Sequence, residues 1–160
     1  MDTARNLPSI SVIIPTLADK PRRESLHRAI DSVLGQQQVA VTVIVVANGR
    51  RYDKAVITEL ANRRDILFQY LEEGSLPGAQ HFGRQQVKTD YFSFLDDDDT
   101  YLADTLRLRV MPMLEDPSID VTVANGIKEI GTHKITVLEN IQEIQKDPLD
   151  ALLDRRLKQY

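Results

Sequence analysis

The chain has 160 residues, 42% hydrophobic and 28% charged, enough for one domain with its own core and too apolar for a disordered chain. Its formal net charge of −4 leaves no basic excess for a nucleic-acid surface. The lack of cysteine excludes a disulfide scaffold and a thiolate metal site, and it fits a reducing compartment.

The opening MDTARNLPS has no apolar stretch of the kind a signal peptide carries. The longest apolar run, residues 43–47, is far short of the roughly 20 residues that span a bilayer. The expected location is therefore the cytoplasm, including the inner face of a membrane.

Residues 10–15 (ISVIIP) are short, β-branched and closed by proline, as in a buried strand. Residues 22–36 place Leu26, Ala29, Ile30, Val33 and Leu34 on one helical face, with Gly35 as the stop. Residues 39–46 (VAVTVIVV) are apolar nearly throughout, which calls for cover on both faces, as in a parallel sheet. Ala47, Asn48, Gly49 and Arg50 break that run. A weaker helix is expected over 52–62 and a third strand over 66–71. Ser75 is placed to cap a helix with Pro77 near its first turn, running to about residue 88. A fourth strand covers 91–95. Residues 102–114 are helical, with Leu102, Leu106 and Val110 at spacing four and Pro112 bending or ending the helix. Residues 121–124 and 134–138 read as short strands. The tail, 147–160, carries a helical stripe of Leu149, Leu152, Leu153 and Leu157, whose exposure would drive self-association.

This β-α-β-α-β-α-β order predicts an α/β fold, an open, mostly parallel twisted sheet with helices on both faces. Ligands of such sheets bind beyond the carboxyl ends of the strands. Three loops fall there: Pro15-Thr16-Leu17, Ala47-Asn48-Gly49, and the acidic run Asp96 to Asp99 in FLDDDDT.

Four adjacent carboxylates repel one another, and crowding raises the pKa of at least one. In an extended chain Asp96 and Asp98 would point one way and Asp97 and Asp99 the other. Two carboxylates at the mouth of a sheet suit a hard divalent cation, Mn2+ or Mg2+, completed by substrate phosphates. The plain alternative is a solvated turn in which Asp99 or Thr100 caps the next helix. An EF-hand is excluded, because its required glycine and glutamate fall on Tyr101 and Arg107. Asp96-x-Asp98-x-Thr100 also resembles the first motif of haloacid-dehalogenase-like phosphatases, with Asp96 as nucleophile and Asp98 as acid/base, but no late acidic pair accompanies it.

Three segments together resemble the family 2 glycosyltransferases of GT-A, Rossmann-like fold. SVIIPTL (11–17) resembles their first strand and its Pro-Thr end. VIVVANGR (43–50) resembles the second, commonly ending VVDDGS or VVDNGS. GAQHFGRQQVKTDYFSFLDDDD (78–99) is similar to their G-x-ARN-x-G stretch leading to an acidic DxD run. The resemblance covers about residues 10–114, a nucleotide-sugar-binding core. It implies metal-dependent transfer of a sugar from a UDP-, GDP- or dTDP-linked donor to a carbohydrate, lipid or protein acceptor, with inversion. Asp98 would ligate the metal, with Asp96 assisting. Asp97 would meet the donor ribose, Pro15 and Thr16 would lie against the nucleotide, and Asn48 and Gly49 near the base. Such activity belongs with polysaccharide biosynthesis.

The departures are Ala47 for the usual acid, and Gln80 and His81 for Arg-Asn, where Gln80 removes a positive charge suited to positioning groups near the phosphates or the acidic turn. Arg22 and Arg23, near the first loop, are placed either to meet phosphate or to sit as a solvated helix start. Family members continue beyond this length, so residues 115–160 are expected to begin an incomplete acceptor half. No residue matches the family's general base. A domain that binds the donor without turnover is therefore the second reading.

Overall fold

The computed structural model describes residues 7–138 and 141–148. The elements are β1 (Ser9–Thr16), α1 (Arg23–Leu34), β2 (Ala40–Asn48), α2 (Lys54–Asn62), β3 (Ile66–Leu71), α3 (Leu76–Gln85), β4 (Tyr91–Phe94), α4 (Thr105–Glu115), β5 (Ile127–Ile130), β6 (His133–Thr136) and α5 (Ile141–Lys146). Contacts divide the chain into two compact units, Met1–Ile119 and Asp120–Tyr160.

In the first unit the strands lie in the order β3-β2-β1-β4, all parallel. The nearly unbroken apolar runs of β1 and β2 have a simple cause, since both faces of these strands are covered. Ile10, Val12 and Ile14 of β1 and Val43, Val45 and Ala47 of β2 face one core with Leu26, Ile30 and Val33 of α1, Val56 and Leu60 of α2, and Leu106 and Val110 of α4. The alternate residues, Ile13, Ile44 and Val46, face a second core with Ala79 of α3. Helices therefore cover both faces. Gly83 lets α3 come close: a Cβ there would stand 2.5 Å from Ile13 Cγ2 and 3.1 Å from Val46 Cγ2.

The chain winds outward from β1 to β2 and β3, then returns to lay β4 on the other side of β1. That reversal is the topological switch point at which open α/β sheets bind ligands. Two ties hold the segment after β4 in place. Leu95 N–H donates to Ile13 C=O at 3.1 Å, and Tyr101 N–H donates to Ser32 Oγ of α1 at 3.0 Å. Buried Gln36 adds a third, donating to Leu102 C=O and accepting from Leu106 N–H.

Ser75 caps α3 through Gly78 N–H, with Pro77 in the first turn, and Asp53 caps α2. Neither Asp99 nor Thr100 caps a helix, because α4 starts only at Thr105, after Asp104. Pro112 lies inside α4, which continues to Glu115; in the last turn only one backbone bond is forfeited.

In the second unit the expected strand at 121–124 is not formed. The strands are β5 and β6, an antiparallel hairpin pairing Ile127 with Thr136 and Ile130 with His133. Gly131, at φ 61°, supplies the left-handed turn position between β5 and β6. The leucine stripe from Leu149 to Leu157 lies outside the described residues. Among the described residues, no helix is long and apolar enough to cross a membrane.

Candidate functional site

At the carboxyl ends of β1, β2 and β4 lies a cleft of about 910 Å3. Pro15, Thr16, Asn48, Gly49, Asp96, Asp97 and Asp98 all line it, so the three loops singled out in the sequence meet in one place. The wall also includes Arg22, Arg50, Arg51 and Gly74.

The acidic run is not extended. β4 stops at Phe94, and residues 96–99 form a turn closed by Asp99 N–H to Asp96 C=O at 3.1 Å. Strand alternation therefore fails here. Asp97 and Asp98, expected on opposite sides, converge on one guanidinium: Arg22 Nη1 is 2.7 Å from Asp97 Oδ1 and 2.8 Å from Asp98 Oδ2.

Asp97 is the buried member of the run. Its Oδ2 accepts a hydrogen bond from Thr16 Oγ1 at 2.6 Å, so both carboxylate oxygens have partners within the protein. Thr16 Oγ1 in turn accepts from Ala18 N–H at 2.9 Å, turning the chain into the left-handed conformation of Ala18, at φ 51°. Burial pushes the Asp97 carboxyl above its ordinary range, against the pull of Thr16 and Arg22. The charge of Asp97, and then that of Asp98, pushes Arg22 up. Burial also raises Asp99, with Asp98 and Asp96 adding repulsion. Asp96 is exposed, and no side-chain hydrogen bond or ion pair engages it among the described residues.

Asn48 is buried, and its Nδ2 donates to Thr16 C=O at 3.0 Å, tying the ends of β1 and β2 together. Gly49 adopts φ 83°, and a Cβ there would stand 3.2 Å from Gly74 Cα. Two glycines thus let the loops after β2 and β3 touch at the cleft wall, with Tyr70 Oη donating to Gly49 C=O at 3.0 Å.

Other sequence candidates fall elsewhere. Arg23 is held in a two-pronged pair by Glu59. Ala47 is fully buried in the core. Gln80 and His81 do not line the cleft, and His81 is an exposed side chain of α3 beside Gln85. The sequence reading did not select Arg50, Arg51 or Gly74. The only available signal was that the two arginines follow directly on a strand end.

Among the described residues, no group of three or more His, Asp or Glu side chains is placed to enclose a metal. The available donors are nevertheless of the right kind. Asp96 and the outer oxygen of Asp98 are hard carboxylate oxygens beside open space, which suits Mg2+ or Mn2+ sharing its shell with phosphate.

An open parallel α/β sheet with an acidic cleft at its switch point fits the GT-A type of domain. Residues 11–158 match the model of "Glycosyl transferase family 2", and the chain belongs to that family. It is 27% identical over 148 residues to an uncharacterized glycosyltransferase of Rickettsia typhi, covering 91% of this chain and 45% of that one. A second uncharacterized glycosyltransferase, of Rickettsia prowazekii, is 26% identical over the same shares. The chain thus spans a little under half the length of these relatives. Among solved structures, residues 1–349 of TarS from S. aureus align with a TM-score of 0.54 at 22% identity, covering 67% of this chain and 32% of that one. This is a likeness of fold. The family is that of the transferase reading and not of the phosphatase one.

Proposed function

We propose that the cleft binds the nucleoside-diphosphate part of a sugar donor, and that the protein transfers the sugar to an acceptor hydroxyl with inversion. The observation that carries this reading is the meeting of the acidic turn with Thr16 and Asn48 at the switch point of the sheet. Asp98 and Asp96 would hold Mn2+ or Mg2+, which supplies neutralisation of the charge that develops on the departing diphosphate. Pro15, Thr16, Asn48 and Gly49 would form the nucleotide-side wall. Asp97, with one protein partner on each oxygen, keeps acceptor capacity and would meet the donor ribose.

Donor binding without turnover is the second reading, and it applies to the chain taken by itself. It is favoured because the chain covers 45% of its relatives' length and offers no matched general base. The acceptor class, whether carbohydrate, lipid or protein, stays with the part of the family that lies beyond this match.

Calorimetric titration with UDP, GDP and dTDP sugars, with and without Mn2+, tests the proposal. We expect one nucleotide to bind in a Mn2+-dependent manner, and Asp98→Ala to abolish the metal dependence. Absence of nucleotide binding by the folded protein would overturn both readings.

A further inference from the structure

We propose that Arg22 is a built-in counter-cation that competes with a divalent ion for Asp98 while staying anchored on Asp97. The inference deepens the functional reading above and rests on its metal-binding part.

The two ion pairs of Arg22 are unequal. Asp97 has a side-chain exposure of 10%, and its second oxygen is held by Thr16, so that leg is fixed from two sides. Asp98 is 55% exposed and has no other side-chain partner among the described residues, so that leg is free to yield. Arg22 itself stands just ahead of α1 and is 43% exposed, with its backbone N–H turned onto Asp19. A guanidinium carries five donors. It can keep one on Asp97 and turn others into the cleft that Arg22 already lines.

The physical logic follows from charge. Without a bound cation, four consecutive carboxylates share one small turn, and Arg22 offsets two of them, Asp97 and Asp98. A divalent ion arriving at the outer oxygen of Asp98 competes with Arg22 for the charge of the same carboxylate. A diphosphate entering the cleft offers Arg22 another anion. Each phosphate contact made by Arg22 therefore favours the metal at Asp98, and each metal contact frees Arg22 for phosphate. By linkage, the two ligands raise each other's affinity by the same factor.

The test is a Mn2+ titration of the whole chain, with free ion followed by electron paramagnetic resonance, first without nucleotide and then with the diphosphate that binds best among UDP, GDP and dTDP. Arg22→Ala and Arg22→Gln remove the charge, and Arg22→Lys keeps it. Without nucleotide, the two neutral variants are expected to bind Mn2+ about two- to fivefold more tightly than the parent chain, the range set by loss of a partly exposed ion pair. Their enhancement by the diphosphate shrinks, and Arg22→Lys stays near the parent. A structural role alone would not tighten metal binding. Melting curves verify folding, and the glutamine variant carries the comparison should the alanine variant fail to fold. The inference is overturned if the parent binds Mn2+ and the folded neutral variants bind no more tightly. If no variant binds Mn2+ with or without diphosphate, the metal reading itself falls and takes this inference with it.

Discussion

Thr16→Val is nearly volume-conserving and deletes one hydroxyl from a buried position, with Thr16 only 3% exposed. That hydroxyl serves two partners, donating to Asp97 Oδ2 at 2.6 Å and accepting from Ala18 N–H at 2.9 Å. Each group left unpaired costs about 1–3 kcal/mol, with the carboxylate at the upper end. Asp97 lines the open cleft, so water restores part of its loss, whereas Ala18 is fully buried. We expect a net destabilisation of about 2–3 kcal/mol, or roughly 4–12 °C in Tm for a chain of this size. Thr16→Ser is the control. It keeps the hydroxyl and sheds one methyl, at about 1 kcal/mol. Urea unfolding followed by circular dichroism gives both values under one protocol. A valine variant as stable as the serine variant would refute the claim that Thr16 holds Asp97, and with it the unequal legs of Arg22.

Gly83→Ala pits about 1 kcal/mol of helix propensity against a Cβ placed 2.5 Å from Ile13 Cγ2, with overpacking costing about 1–3 kcal/mol. A lower Tm is expected, and a raised one would mean that α3 can lift off the sheet without cost. Glu59 joins α1 to α2 by accepting from Arg23 Nε and Nη2 at 2.8 and 2.9 Å. Arg23 holds the Glu59 carboxyl below its ordinary 4.5, with His27 helping and burial opposing. A depressed carboxyl contributes stability above its unfolded value and loses it as pH falls through the folded one. Glu59→Gln should therefore flatten the loss of stability below about pH 4.5 in urea titrations at several pH values. An unchanged pH profile would mean that the pair contributes nothing.

The sheet was legible because burial on both faces leaves a plain mark. Residues 10–15 and 39–46 are so apolar that only a central parallel strand suits them, and β1 and β2 are the two central strands. The cap at Ser75 follows a local rule that the chain obeys. The second unit was less legible. VTVA at 121–124 has strand composition and is followed by Asn125-Gly126, yet the hairpin turns at Gly131 and pairs later residues. Propensity names residues that tolerate a strand; it does not supply a partner.

The acidic turn shows the limit most sharply. Its location after β4 was readable, but which carboxylates share a side was not. Alternation holds only while the chain stays extended, and the 3.1 Å bond from Asp99 N–H to Asp96 C=O ends that condition. What decides the outcome lies 75 and 81 residues away in sequence, in Arg22 and in Thr16 at the end of β1. The substitution pattern gains a physical sense from this. The family resemblance expects a positive charge from α3, where this chain has Gln80, which does not line the cleft. Arg22 brings a cation to the same carboxylates from the start of α1. That charge offsets the repulsion between Asp97 and Asp98, a contact that strand alternation gives no means of foreseeing.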